Sequence, residues 1–176
     1  MNLTNKLLTS AVLYFSIITG GCSGQGETIA QKPQAIVLER GVEEHYVKRV
    51  IDGDTLVLDD GRHVRLLGIN APELKKKGQK HPERLAIEAS DRLGHLVCGD
   101  RKVKLEYDLQ DRNKEDKDKF GRTLGYVIAN GDNTSIILVR EGYARAFMYK
   151  GLKYQKEILE AEEEAKRVGR GIWAKE

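Results

Sequence analysis

The chain has 176 residues, 40% of them hydrophobic and 32% charged, a mix that excludes a disordered, a collagenous and a polytopic membrane protein. Its 30 Lys and Arg against 27 Asp and Glu leave a net charge of +3, too little to name a polyanionic partner, so the placement of charge must carry that argument. Two cysteines, Cys22 and Cys98, can build neither a disulfide scaffold nor a tetrahedral zinc site alone.

Met1 to Lys6 carries one positive charge, Leu7 to Ile18 is an apolar run of twelve, and Thr19-Gly20-Gly21 is a small-residue exit. Residues 1–22 therefore read as an export signal. Cys22 after Gly21 resembles the lipidated cysteine of a bacterial lipobox, with Thr19 where an aliphatic residue is usual. An uncleaved anchor or plain secretion are the alternatives. The expectation is an exported cell-envelope lipoprotein held to the membrane through Cys22, or a secreted protein if that cysteine is unmodified. Residues 23–41, rich in Gly, Gln, Ser and Thr, read as a flexible tether. Residues 42–176 read as the folded domain.

Within that domain Tyr46–Ile51 and Thr55–Leu58 are predicted strands around the Asp52-Gly53-Asp54 turn. Asp59-Asp60-Gly61 then leads into a third strand, His63–Ile69. Leu85, Ala86, Ala89, Leu93, Leu96 and Val97 recur at helical spacing, predicting an amphipathic helix over Pro82–Val97. Strict alternation predicts a fourth strand over Val103–Leu109, and a fifth is predicted over Arg122–Ala129. A short helix over Ser135–Glu141 and a last helix from Tyr154 to Val168, stopped by Gly169, complete the order. Three strands, a helix, two strands and C-terminal helices is the order of an OB-fold, a five-stranded Greek-key barrel.

Three places carry chemistry. Asp52-Gly53-Asp54-Thr55 sets two carboxylates and a hydroxyl close enough to suit Ca²⁺ or Mg²⁺, although alone such a segment is more often only a turn. Arg65 lies on a strand that ends in Asn70-Ala71-Pro72-Glu73. Asn70 offers a side-chain oxygen, and Ala71, biased to extended backbone by Pro72, offers a carbonyl. Asp118-Lys119-Phe120-Gly121-Arg122 opens the fifth strand with an arginine. A cation site, two arginines and a carboxylate are the requirements of phosphodiester hydrolysis. Charge placement agrees. Arg62 to Arg84 holds Arg62, Arg65, Lys75, Lys76, Lys77, Lys80 and Arg84 against Glu73 and Glu83, a local net of +5. The four histidines lack ligand spacing and read as structural or surface groups. Cys98 reads as a small buried residue, and Trp173 as a packing anchor.

VIDGDT, RLLGINAPE and DKFGR, in this order, resemble the staphylococcal nuclease (thermonuclease) family from about Val47 to Trp173. The resemblance implies an OB-fold endonuclease that uses Ca²⁺, cleaves DNA and RNA on the 5′ side of the phosphate and leaves 3′-phosphates. It implies that Asp54 is the main metal carboxylate, that Asp52 supports it, and that Asn70 and the Ala71 carbonyl complete the ligands. Arg65 and Arg122 match the phosphate-binding arginines, and Glu73 matches the catalytic glutamate. Lys119, Phe120, Phe147, Tyr149 and Lys75 to Lys77 fall on the substrate side. Asn70 stands where the family usually has Asp, which weakens metal binding by one charge, and Phe120 stands where a Tyr is usual. The chain is expected to act as a monomer. The competing class is a membrane-tethered OB module that binds nucleic acid without cutting it.

Overall fold

A computed structural model describes residues 36–39 (backbone only), 41–75, 78, 80–97, 102–108, 117–148 and 151–175. The export signal, Cys22, residues 23–35 of the expected tether, Lys76, Lys77, Cys98, Tyr149 and residues 111–116 lie outside them.

A long strand β2 (Val42–Asp52) turns through Gly53 into β3 (Thr55–Leu58), and β3 turns into β4 (His63–Leu66). β4 lies parallel to β7 (Thr123–Ala129), β7 pairs antiparallel with β6 (Lys102–Glu106), and β6 pairs antiparallel with β2. That last pairing closes five strands in the order β2-β3-β4-β7-β6 into a barrel, the OB topology. β1 (Ile36–Glu39) pairs with the outer part of β2, so ordered strand begins before Val42, within the stretch read as tether. β2 is also longer than the expected Tyr46–Ile51. Its register slips between Val47 and Arg49, and a bulge there lets one strand serve two neighbours.

The barrel closes because alternate side chains of each strand are apolar. Leu56, Leu58, Val64, Leu66, Val103, Leu105 and Tyr126 are fully or almost fully buried. Each buried Leu contributes about 2–3 kcal/mol of transfer free energy.

The expected third strand is split. β4 stops at Leu66, and a separate two-residue strand β5 (Ile69–Asn70) pairs with β9 (Arg145–Ala146). The cause is Gly68, with φ of 78°, where an added Cβ would sit 2.5 Å from Ile158 Cδ1. The chain turns there so that the last helix can pack against it.

The first helix, α1 (Ala86–Val97), starts four residues later than Pro82, after Leu85 at φ of 65°. It buries Ala86, Ala89, Leu93 and Val97 on the helical face expected from their spacing. β8 (Asp132–Asn133) leads into α2 (Thr134–Arg140), where the Asn133 side chain accepts the Ser135 N–H as N-cap. Ser135 Oγ donates to the Leu67 carbonyl at 3.0 Å, which ties α2 to the turn before β5. α3 (Gln155–Val168) ends in left-handed Gly169, and a 3₁₀ turn follows at Gly171–Trp173. That turn packs on Gly142, whose carbonyl accepts the Ile172 N–H at 2.9 Å and which has no room for a Cβ beside Arg170.

Candidate active site

Strand register brings the first two motifs together. The β2–β3 turn presents Asp54, and Thr55 stands opposite Arg65 in the β3–β4 pair. The turn needs glycine at position 53 for space. A Cβ there would lie 2.7 Å from the Cβ atoms of both Ala71 and Ala89, so the turn is clamped between the β5 loop and α1. Asp52 Oδ1 accepts the Asp54 N–H at 3.1 Å, an Asx turn that fixes its shape.

Asp54 is 5% exposed and both its oxygens are engaged. Oδ1 accepts from Thr55 Oγ1 at 3.0 Å. Oδ2 accepts the Ala71 N–H at 2.8 Å and pairs with Arg65 Nη1 at 2.8 Å. Burial pushes its carboxyl up to about 7, against the pull of Arg65 and with a further push from Asp52. A divalent cation among these oxygens would favour the ionised form, as Arg65 does.

Arg65 Nη2 donates to Asn70 Oδ1 at 2.9 Å, so the oxygen expected to face a cation is held by the arginine. Ala71, 3% exposed, meets Asp54 through its N–H. Arg122 arrives from the neighbouring strand, because the parallel β4–β7 pairing sets Thr123 beside Val64. Its Nε donates to Asp118 Oδ2 at 2.8 Å and its Nη1 to Thr55 Oγ1 at 3.4 Å. Although burial raises the Asp118 carboxyl, its bonds from Arg122 and from the Phe120 N–H hold it below the usual range. Asp52, Asp54, Thr55, Arg65, Asn70, Ala71 and Arg122 thus form one bonded network at one end of the barrel.

Glu73 joins this network through the chain, two residues after Ala71, and is exposed. Glu83 grips it twice: Glu83 Oε2 accepts the Glu73 N–H at 3.1 Å, and the Glu83 N–H donates to the Glu73 carbonyl at 3.0 Å. Nothing in the sequence spacing marks Glu83 for this task. Phe120 is 72% exposed beside Arg122, with Lys119 Nζ 5.1 Å and the Arg122 guanidinium 5.5 Å from its ring centre. Lys75 is exposed on the same loop as Glu73. Phe147, half exposed, follows β9 and donates its N–H to the Gly68 carbonyl.

Arg62 corrects the basic rim expected over Arg62–Arg84. It sits at the far end of the β3–β4 hairpin, with Nε on Asp60 Oδ2 at 2.6 Å, Nη2 on Glu43 Oε2 and His45 Nε2, and Nη1 on the Tyr107 hydroxyl. It belongs to a part-buried ionic cluster and not to the site. His45, 3% exposed, also reaches Asp59 Oδ1 through Nδ1 at 3.1 Å. Ligand atoms of His45, Asp59 and Asp60 lie within 4.8 Å of one another, a grouping hidden in the sequence by separation. Arg62 already supplies positive charge there. Trp173 is the packing residue expected, with the Arg145 guanidinium 4.5 Å and Lys166 Nζ 5.0 Å from its ring.

Residues 63–175 match the family described as Staphylococcal nuclease homologue. The chain is 38% identical over 143 residues to the Thermonuclease of Staphylococcus hyicus, covering 78% of this chain and 80% of that one. It is 38% identical over 135 residues to the Thermonuclease of Staphylococcus intermedius, covering 74% and 76%. It is likewise 38% identical over 135 residues to Endonuclease YncB of Bacillus subtilis (strain 168), covering 72% of this chain and 60% of that one.

Proposed function

The chain belongs to the staphylococcal nuclease family, and from that premise we propose a Ca²⁺-dependent endonuclease that hydrolyses DNA and RNA on the 5′ side of the phosphate, leaving 3′-phosphates. The observation that carries this reading is the convergence of Arg65 and Arg122 on the Asp54–Thr55 pair. Asp54 and Asp52 are hard carboxylate donors, and Asn70 Oδ1 with the Ala71 carbonyl supplies two neutral oxygens, a set that fits Ca²⁺. Bound there, the ion would neutralise charge on a phosphoryl oxygen.

The remaining steps belong to side chains. Arg65 exchanges its bond to Asn70 for a phosphate oxygen, and Arg122 turns its remaining N–H groups to another. Both strengthen their hold as charge builds on the phosphoryl oxygens in the transition state. Glu73 orients the attacking water and takes its proton. The P–O5′ bond breaks, and the leaving 5′-oxygen takes a proton from solvent water to become the 5′-hydroxyl. Lys119 and Phe120, beside Arg122, line the approach of the strand.

The test incubates the purified chain with labelled single-stranded DNA and RNA, in Ca²⁺ and in chelator, and analyses product ends. Cleavage with Ca²⁺ alone, to fragments that a 3′-phosphatase can trim, is expected. Full activity in chelator would overturn the metal assignment. Asn70→Asp should tighten Ca²⁺ binding in calorimetry by adding a ligand charge. We also place the enzyme outside the cytoplasm, as a monomer anchored by a lipidated Cys22. Radiolabelled palmitate should mark the native protein and not its Cys22→Ser variant.

A further inference from the structure

We propose that the cleft between the Ala71–Pro72 loop and the C-terminal 3₁₀ turn is a second phosphate subsite. In it Arg84 and Arg145 hold a backbone phosphate flanking the one that is cleaved. The proposal rests on the nuclease reading and extends it along the substrate strand.

The cavity, about 230 Å³, lies among Asn70, Ala71 and Pro72 on one side and Arg84, Arg145 and Ile172 on the other, and Glu83 also lines it. It is smaller than the roughly 300–1,000 Å³ that drug-sized ligands occupy, and suits a phosphodiester group better than a nucleoside. Neither arginine has a carboxylate partner among the described residues. Both are exposed, and each has one contact that restrains it. Arg145 stands opposite Asn70 in the β5–β9 pair, and its guanidinium lies over the Trp173 ring at 4.5 Å. Stacking restrains the plane of a guanidinium while leaving its N–H edge available for hydrogen bonds. Arg84 donates one N–H from Nη2 to the Gly171 carbonyl at 3.3 Å, a single neutral acceptor for a side chain with five donors. The acid in the lining, Glu83, directs Oε2 to the Glu73 N–H.

Two guanidinium groups with no carboxylate partner among the described residues favour an anion, and their planar forks match a phosphate. Asn70 links that site to the catalytic one, because its Oδ1 accepts from Arg65 and its strand partner is Arg145. A strand whose reacting phosphate lies on Arg65 can therefore pass its neighbouring phosphate over Asn70 into the cleft.

The experiment uses the full chain and fluorescent single-stranded DNA in which single phosphates near one preferred cleavage position are replaced by neutral methylphosphonates. kcat/KM is read during cleavage, and affinity is read by fluorescence anisotropy in chelator. For the unmodified strand, Arg84→Ala and Arg145→Ala should each raise KM and Kd about 3–10-fold, keep kcat within about twofold, and lower the salt slope by about one. Arg145→Lys should restore most of the affinity. One flanking methylphosphonate should weaken wild-type binding by a similar factor and cost the double arginine variant nothing more. Lys156→Ala, which removes an equal charge on the exposed side of α3, should have no such effect. If the methylphosphonate penalty persists undiminished in the double variant, or Lys156→Ala reproduces the loss, the subsite is overturned. Arg84→Ala decides the matter if loss of the Trp173 stack unfolds the Arg145 variants. If the wild type cleaves no strand, the nuclease reading fails, and the anisotropy arm still judges the cleft.

Discussion

The β3–β4 hairpin carries an arginine cluster at each end, and the two are built to opposite rules. At the turn end, Arg62 gives its Nε and both terminal nitrogens to Glu43, Asp60, His45 and Tyr107, so the guanidinium is consumed by the fold. At the open end, Arg122 spends Nε on Asp118 and makes one long bond to Thr55, while Arg65 shares its donors among Asp54, Asn70 and the Leu66 carbonyl. Asp54 beside them is buried, with a carboxyl lifted to about 7. Identical residue types are thus tied up by the fold in one place and left with donors to spare in the other. What separates them is how fully each guanidinium is satisfied by the protein itself.

The sharpest way to break the comparison is to remove each arginine and read rate and stability separately. Arg65→Ala and Arg122→Ala should each lower kcat/KM by on the order of 10²–10³-fold. Glu73→Gln should lower turnover by roughly 10²–10⁴-fold with Kd nearly unchanged. Arg62→Ala should do the reverse: about 2–3 kcal/mol of unfolding free energy lost in urea titration, with kcat of the folded fraction retained. Equal kinetic damage from all three arginines would erase the distinction.

Gly53→Ala should damage both properties, because the new methyl meets Ala71 and Ala89 at 2.7 Å. We expect about 1–3 kcal/mol of destabilisation, with a fall in kcat as Asp54 shifts. The turn-end cluster should also show itself in acid. Burial would raise the carboxyls of Glu43 and Asp60, but hydrogen bonds from Arg62, joined by the charge or bonding of His45, hold both below their ordinary values of 4.5 and 3.8. A carboxyl depressed in the folded state stabilises fully above its unfolded value and loses that contribution as pH falls through the folded one. Unfolding titrations should therefore show wild-type stability dropping below about pH 4, and Arg62→Ala should flatten that drop. Replacing Lys75, Lys76 and Lys77 together by Ala should have the mildest effect, a higher KM with flatter salt dependence and kcat little changed.

Much of the barrel is legible in the sequence because alternation and turn residues are local signals. Thr55–Leu58 has the expected bounds, and Thr123–Ala129 begins one residue late. The motifs around Asp54, Arg65 and Arg122 fall together because adjacent strands in this order bring them to one barrel end. What escapes the sequence depends on long-range packing. The break at Gly68 is dictated by Ile158, ninety residues away in the chain. His45 meets Asp59 because the β2 bulge sets the register, and the Asp59 N–H bonds to the Tyr46 carbonyl at 2.8 Å. Arg62 reads as one more cation in a basic run, since composition does not reveal that the hairpin turn aims it at Glu43. Glu83 and Arg145 carry no motif, and only folding puts them beside Glu73 and Asn70.

The double grip of Glu83 on Glu73 ties together the two ends of the segment between them. Closing such a loop costs entropy that grows only with the logarithm of its length, about 0.6 kcal/mol per doubling. The segment between these two glutamates is therefore the natural place to graft foreign sequence. A peptide tag or a recognition module for one nucleic acid could be inserted there, next to the chemistry, without re-engineering the barrel. Selection would have the same freedom, and could lengthen or recharge this segment while Glu73 kept its address.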